Sequence, residues 1–297
     1  MLTSFLQLYA AITIGTGDIA IDTPVEEPVE NPVSYEETLP SSSIPLKKEH
    51  SIAPIIEAEA AIIVDFDSGT ILYEKNPDTK LQIASITKLM TAIIALEEGD
   101  LDETVYVSSK AAQTEGSKVW LYGGEEITLR NLLLAILIHS GNDAAVAVAE
   151  HIGGDVPTFV QKMNDKTKKI GLYSTHYENP IGFDALENYS TVHDLALLAR
   201  YAYRKPFIRR AVIIPSMSIS SADGSLSHDL ESTNDLLGGF MNVLGLKTGH
   251  TELAGLCFVS IIENDNDNKI ITVVLNSPAR FTETKRLASW AFRSYIW

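Results

Sequence analysis

A chain of 297 residues with 45% hydrophobic content can bury a sizeable core, as one large domain or two small ones. Its formal charge of −16 disfavours nucleic acid and anionic membrane surfaces as partners. The single cysteine, Cys257, excludes an intrachain disulfide, and the seven histidines show no zinc spacing, so neither a metal site nor a cofactor is expected.

Residues 1–17 are mostly apolar, without a basic leader region or a clean small-x-small cleavage site, and too short to span a bilayer. They read equally as the remnant of an export signal or anchor and as a plain apolar tail. Residues 18–54 read as a disordered linker. Pro24, Pro28, Pro32, Pro40 and Pro45 interrupt it, and eight acidic residues face two lysines between Asp18 and Glu49. Such a segment buries too little to offset its ordering entropy and acts as a tether. The folded domain is expected over residues 55–297.

Within it, Ala60–Phe66 and Thr70–Tyr73 read as strands joined by Asp67-Ser68-Gly69. A mostly apolar helix follows from Ile83, stopped by Gly99. Thr128 caps a second helix, Leu129–Ile138, apolar on nearly every side and so deeply buried. Beyond Ser140-Gly141-Asn142 a third helix runs to His151, and a fourth from Asp155 to Lys169. Thr191 and Asp194 form a capping box for a fifth, ending at Tyr203. The last third is β-rich: a hairpin at Asp223-Gly224, then strands Val243–Thr248, Leu256–Ile262 and Lys269–Leu275. A closing helix runs from Glu283 to about Tyr295. Two strands, then helices, then strands and a helix is an α+β pattern with one largely antiparallel sheet. Cys257, inside the apolar run Gly255–Ser260, reads as a buried small hydrophobe.

Three short segments carry chemistry. Ser85 and Lys88 lie three apart, on one face of a helix start, where free N–H groups favour developing negative charge. Serine needs a partner that takes its proton. Lys88 can serve only if burial and a second cation lower its pKa. Lys247-Thr248-Gly249-His250, at a strand end, offers that cation, and alternation puts Lys247 and Gly249 on one face. The glycine is expected to leave room for substrate to lie against the strand, with Lys247 and Thr248 on its carboxylate. Ser140-Gly141-Asn142 breaks two buried helices, so that Ser140 can relay a proton and Asn142 hold a substrate amide.

Each segment alone is an ordinary sequence. Together, in the order S-x-x-K, S-x-N, K-T-G, they are the constellation of penicillin-binding proteins and serine β-lactamases. From Ala60 to Phe292 the chain resembles the low-molecular-weight penicillin-binding proteins, the serine D-alanyl-D-alanine carboxypeptidases. The resemblance is carried by Ala84–Thr91, His139–Ala145, Asn179-Pro-Ile-Gly182, Tyr189-Ser-Thr191 and Gly245–Thr251. It implies a β-lactamase/transpeptidase-like fold, an antiparallel five-stranded sheet with helices on both faces and a helical subdomain. It also implies Ser85 as acylated nucleophile, Lys88 as base, and Ser140 and Asn142 lining the cleft. Lys247 and Thr248 would bind substrate beside Gly249, and the N–H groups of Ser85 and His250 would form the oxyanion hole. Arg280 matches a family arginine associated with the terminal carboxylate, although an arginine before a helix is often just a solvated charge.

The expected substrates are peptidoglycan stem peptides, with β-lactam antibiotics as covalent inhibitors, at an extracytoplasmic location. No C-terminal anchor or second domain is expected after Trp297, which leaves the linker as tether. DD-endopeptidase action on crosslinks is the alternative activity. A class A β-lactamase fits less well, because Glu178 and Glu187 both lack the E-x-x-L-N context. A non-enzymatic penicillin sensor would need a transmembrane relay, and no apolar run reaches the 18 residues that a span needs.

Overall fold

A computed structural model describes residues 44–297; the apolar tail and most of the linker lie outside the described residues. The order begins β1 (Leu46–Lys47), β2 (Ala60–Asp65), β3 (Ile71–Lys75), β4 (Leu81–Gln82), a tight turn over Ala84–Thr87, and α1 (Lys88–Glu98). Then come β5 (Thr104–Tyr106), α2 (Ser109–Ala112), β6 (Glu126–Thr128), α3 (Leu129–Leu134), α4 (Asn142–Gly153) and α5 (Val156–Ile170). The rest is β7 (Tyr189–Ser190), α6 (Val192–Tyr203), α7 (Pro206–Ala211), β8 (Ser216–Ser220) and β9 (Ser227–Glu231). Three long strands follow, β10 (Asn242–Thr251), β11 (Gly255–Glu263) and β12 (Lys269–Ser277), then α8 (Arg280–Ser294) and β13 (Tyr295–Ile296).

Five strands form one sheet in the order β10-β11-β12-β2-β3, every neighbouring pair antiparallel. The apolar run of β2 sits near its centre and is buried on both faces. Ile62 and Val64 join the larger core beneath α1, α4 and α6, while Ala61 and Ile63 face Leu287, Trp290 and Ala291 of α8. Helices therefore cover both sides, and α2 to α5 gather around α1 as the helical part. This is the expected α+β fold. Its consequence for function is that β10 is an edge strand, and the turn before α1 packs against it.

Several local expectations change. Leu46 and Lys47, placed by sequence in the linker, pair with Ile296 and Tyr295. Strands of two residues carry no period that a sequence can display. The second helix does not stay α-helical to Ile138: Ala135–His139 widen into a π turn that ends at Ser140 with φ of +65°. Only half of the expected capping box forms. Thr191 Oγ1 accepts from the Asp194 N–H, but the Asp194 carboxylate turns away to Ser174 N and Thr175 Oγ1, both at 2.8 Å. The missed elements β4, β5, β6, β7, α2 and α7 are all short. Two of them matter for the site, because β7 pairs with β4 and so fixes Tyr189–Ser190 beside Leu81–Gln82, the residues just upstream of the Ser85 turn.

The helical part is tied together at its surface by Glu97. Its carboxylate accepts from Lys166 of α5, Tyr201 of α6 and Lys205. Burial alone would raise the Glu97 carboxyl, but those hydrogen bonds outweigh it and hold it at about 2, against an ordinary 4.5. A carboxyl depressed in the folded state stabilises fully above its unfolded pKa and loses that contribution as pH falls through the folded value. Glu97→Gln should cost about 1 kcal/mol at neutral pH, a drop in Tm of about 2–4 °C. Thermal melts should show the gap closing below pH 4.5 towards pH 2, the span set by the two values. A gap that stays constant over that range would refute the assignment.

Candidate active site

Ser85 sits on a strained turn, not inside the helix that its apolar flanks suggest. Ala84–Thr87 form a 3-10 turn, the α-helix begins only at Lys88, and Ala84 adopts a left-handed φ of +47°. Such a conformation costs a non-glycine residue about 1–2 kcal/mol and persists only where its surroundings enforce it. Two glycines enforce it here. A Cβ on Gly182, itself at φ +83°, would lie 1.9 Å from the Ala84 carbonyl oxygen, and one on Gly249 would lie 2.8 Å from the Ile83 oxygen and 3.2 Å from Ser85 N. The backbone of the turn is thus pressed between a loop and the edge strand, with no room for a side chain on either.

One turn on, Lys88 is fully buried, and its Nζ lies 2.7 Å from Ser85 Oγ and 2.8 Å from the Ile181 carbonyl oxygen. Burial is the main cause that pushes the Lys88 amine well below the ordinary lysine range. The Lys247 charge adds to the depression, and Asp143 opposes it. A neutral amine here has two N–H groups and one lone pair. With one N–H given to the Ile181 carbonyl, the lone pair can face the serine hydroxyl and receive its proton.

Lys247 is also buried, and its Nζ donates to the Thr248 carbonyl at 3.2 Å. Burial and then the Arg280 charge bring its amine down to about 7. The expected alternation along β10 holds, but with a different purpose for the glycine. Gly249 leaves space for the serine turn, where the sequence suggested space for substrate. The Thr248 hydroxyl shares a 2.6 Å hydrogen bond with Thr233 Oγ1, while His250 is exposed at the strand end. Arg280 is no solvated charge. It is half-buried over the Phe281 ring, and its Nη1 donates to the Gly249 carbonyl at 2.8 Å. In a planar trans peptide the C=O and N–H point opposite ways, so this bond also fixes the direction of the His250 N–H.

Ser140 and Asn142 occupy the corner between the π turn and α4, which packs on α1. Ser140 is buried in its left-handed conformation, and its hydroxyl makes no hydrogen bond among the described residues. Asn142 Nδ2 donates to the Glu115 carbonyl at 2.7 Å, which leaves Oδ1 as the free end. The next residue, Asp143, has no exposed surface, and its carboxylate accepts the N–H groups of Val119, Leu121 and Ala144. The motif therefore anchors the neighbouring 117–121 segment as well as lining the site.

The sequence profile described as D-alanyl-D-alanine carboxypeptidase matches residues 47–279. The chain belongs to that family. It is 33% identical over 256 residues to the D-alanyl-D-alanine carboxypeptidase DacF of Bacillus subtilis, covering 80% of this chain and 63% of that protein. It is 30% identical to the D-alanyl-D-alanine endopeptidase of Pseudomonas aeruginosa, with 84% and 80% covered. Among solved structures, the Streptomyces K15 DD-transpeptidase superposes with a TM-score of 0.77 at 29% identity, over 82% of this chain and 99% of that one. The chain thus spans less than two thirds of DacF, the first of these relatives.

One feature of this family member has no counterpart in a reading of S-x-x-K, S-x-N and K-T-G alone. The loop Asn179–Gly182 reaches both Lys88, through the Ile181 carbonyl, and the backbone of the Ser85 turn, through Gly182. Its Pro180 carbonyl also accepts Thr91 Oγ1 at 2.7 Å, one turn further along α1. Its sequence signal was the family-like wording Asn179-Pro-Ile-Gly182, which says nothing of what the loop touches. Gly182→Ala, which drives a methyl into the Ala84 carbonyl, should cut the penicillin acylation rate at least 100-fold, read by gel fluorescence with a labelled penicillin. Wild-type labelling by that variant would show that the turn does not need the glycine.

Proposed function

We propose that the protein is a serine D-alanyl-D-alanine carboxypeptidase acting on peptidoglycan stem peptides outside the cytoplasmic membrane. The observation that carries the reading is the buried Lys88 Nζ, 2.7 Å from Ser85 Oγ, beside a second buried lysine that lowers its pKa. Ser85 Oγ attacks the carbonyl of the penultimate D-alanine while its proton passes to Lys88. The N–H groups of Ser85 and His250 receive the negative charge that develops on the oxygen, a contribution worth roughly 3–4 kcal/mol per donor. The C–N bond then breaks, and the leaving amine of the terminal D-alanine takes a proton relayed by Ser140. Water attacks the acyl-serine, Lys88 accepts its proton, and Ser85 regains its hydrogen as the shortened peptide leaves.

Lys247 and Arg280 supply the positive charge and Thr248 a hydroxyl for the substrate carboxylate, and Asn142 Oδ1 is free to accept a substrate amide. A β-lactam, which presents a carboxylate and a strained amide in the same relation, would acylate Ser85 by the same steps. Among the described residues no helix is long and apolar enough to cross a membrane. Cleavage of crosslinks is the second reading, favoured by the endopeptidase of Pseudomonas aeruginosa among the similar proteins.

Incubation with a pentapeptide and with a crosslinked muropeptide, followed by mass analysis, separates the two readings. Release of free D-alanine is expected, and cleavage of the crosslinked species alone would replace this proposal with the second one. Ser85→Ala should abolish covalent labelling by penicillin, whereas undiminished labelling would reject the nucleophile. The two lysines set opposite pH limits. Acylation should rise with pH as Lys88 loses its proton, and capture of carboxylate substrates should weaken as pH climbs past about 7, where Lys247 becomes neutral. A KM that stays flat from pH 6 to 9, and unchanged in Lys247→Ala, would remove Lys247 from the binding site.

A further inference from the structure

The carbonyl that accepts Lys88 Nζ and the glycine pressed on the Ser85 turn come from one short loop outside the three motifs, and that loop is organised by one side chain. Asn179 Oδ1 accepts three consecutive backbone N–H groups: Ile181 at 3.2 Å, Gly182 at 2.7 Å and Phe183 at 3.1 Å. Its Nδ2 closes the ring by donating to the Phe183 carbonyl at 3.2 Å. Four hydrogen bonds from one amide fix the orientation of the peptide units on either side of Ile181. One of those units carries the carbonyl oxygen that accepts Lys88 Nζ, and the next places Gly182 against the Ala84 oxygen.

We propose that Asn179 is a positioning residue for the proton transfer, acting through the Ile181 carbonyl on Lys88. The inference rests on Lys88 as the base. Amine, hydroxyl and carbonyl form a relay in which the peptide oxygen does for Lys88 what an orienting acceptor does for any general base. By holding one amine N–H, the carbonyl turns the lone pair towards Ser85 Oγ. It also favours the charged amine slightly, because a hydrogen bond accepted from an ammonium stabilises the protonated state. Removing the asparagine side chain leaves three N–H groups to find other partners, and the carbonyl is no longer aimed.

Two variants test this with opposite signatures. Asn179→Ala should lower the penicillin acylation rate at saturating ligand by about 10- to 100-fold, with the ligand dissociation constant within threefold of wild type. Its acid limb in the pH–rate profile should move to lower pH, since Lys88 loses an acceptor. Asn179→Asp keeps an oxygen that accepts the same three N–H groups and places a negative charge near Lys88. It should recover most of the plateau rate while its acid limb moves to higher pH. Rates are taken per labelled active site, so a variant that merely folds less completely gives fewer sites and an unchanged rate.

A wild-type rate and limb in Asn179→Ala would overturn the inference. So would an aspartate variant that is no faster than the alanine one. If the alanine variant does not fold, the limb of the aspartate variant alone decides. Failure of the wild-type protein to react with penicillin at all would instead sink the proposed function, which keeps the two failures apart.

Discussion

The structure depends on keeping one amine dry. A lysine with no exposed surface, beside a second buried lysine, would be an expensive error in an ordinary core, because an uncompensated buried charge is strongly unfavourable. Lys88 answers this by giving up its proton readily, which is the property that the proposed mechanism asks of a base. The surrounding architecture serves the same end. The core helix α1 buries the amine, β10 brings the second cation, α4 places an opposing carboxylate nearby, and the 179–182 loop supplies the one carbonyl that orients it. Asp143 is kept from becoming a simple salt-bridge partner because its oxygens are occupied by backbone N–H groups.

The sheet explains why these pieces meet. An edge strand has one side free of a neighbouring strand, and in β10 the glycine of Lys-Thr-Gly lets the serine turn approach its backbone closely. From the α8 side, Arg280 reaches the Gly249 carbonyl and orients the peptide unit next to the serine. Both cores therefore contribute, one through α1 and the other through the start of α8. The buried alternation of Ala61 and Ile63 against Ile62 and Val64 is what holds the two faces in register.

Much of this was legible in the chain. The five long strands and α1, α4, α5 and α6 were visible because each carries a hydrophobic period or a punctuating cap over enough residues to register. Ser85, Lys88, Ser140, Asn142, Lys247 and Gly249 could be singled out because their spacing matches a chemistry. What sequence could not show was contact between segments far apart in the chain. Nothing in Asn179-Pro-Ile-Gly182 indicates that its glycine lies against Ala84 or that the Ile181 oxygen faces Lys88. The strained φ of Ala84 was hidden because an alanine gives no warning of a left-handed turn, and the purpose of Gly249 was misread for the same reason. Arg280 was singled out only by its match to a family arginine, and its bond to the Gly249 carbonyl stayed hidden because sequence never names a backbone acceptor.

The small ribbon that joins β1 to β13 has a mechanical meaning. Its register sets Leu46 against Ile296 and Lys47 against Tyr295, so the outer end of each strand lies beside the outer end of the other. Tension applied between those ends would load the ladder peeling-wise, one pair after another, instead of shearing both pairs together. The ribbon would then part under little force, and the hydrogen bond from Trp297 Nε1 to Asp65 at the end of β2 is the link that would pass load on to the five broad strands.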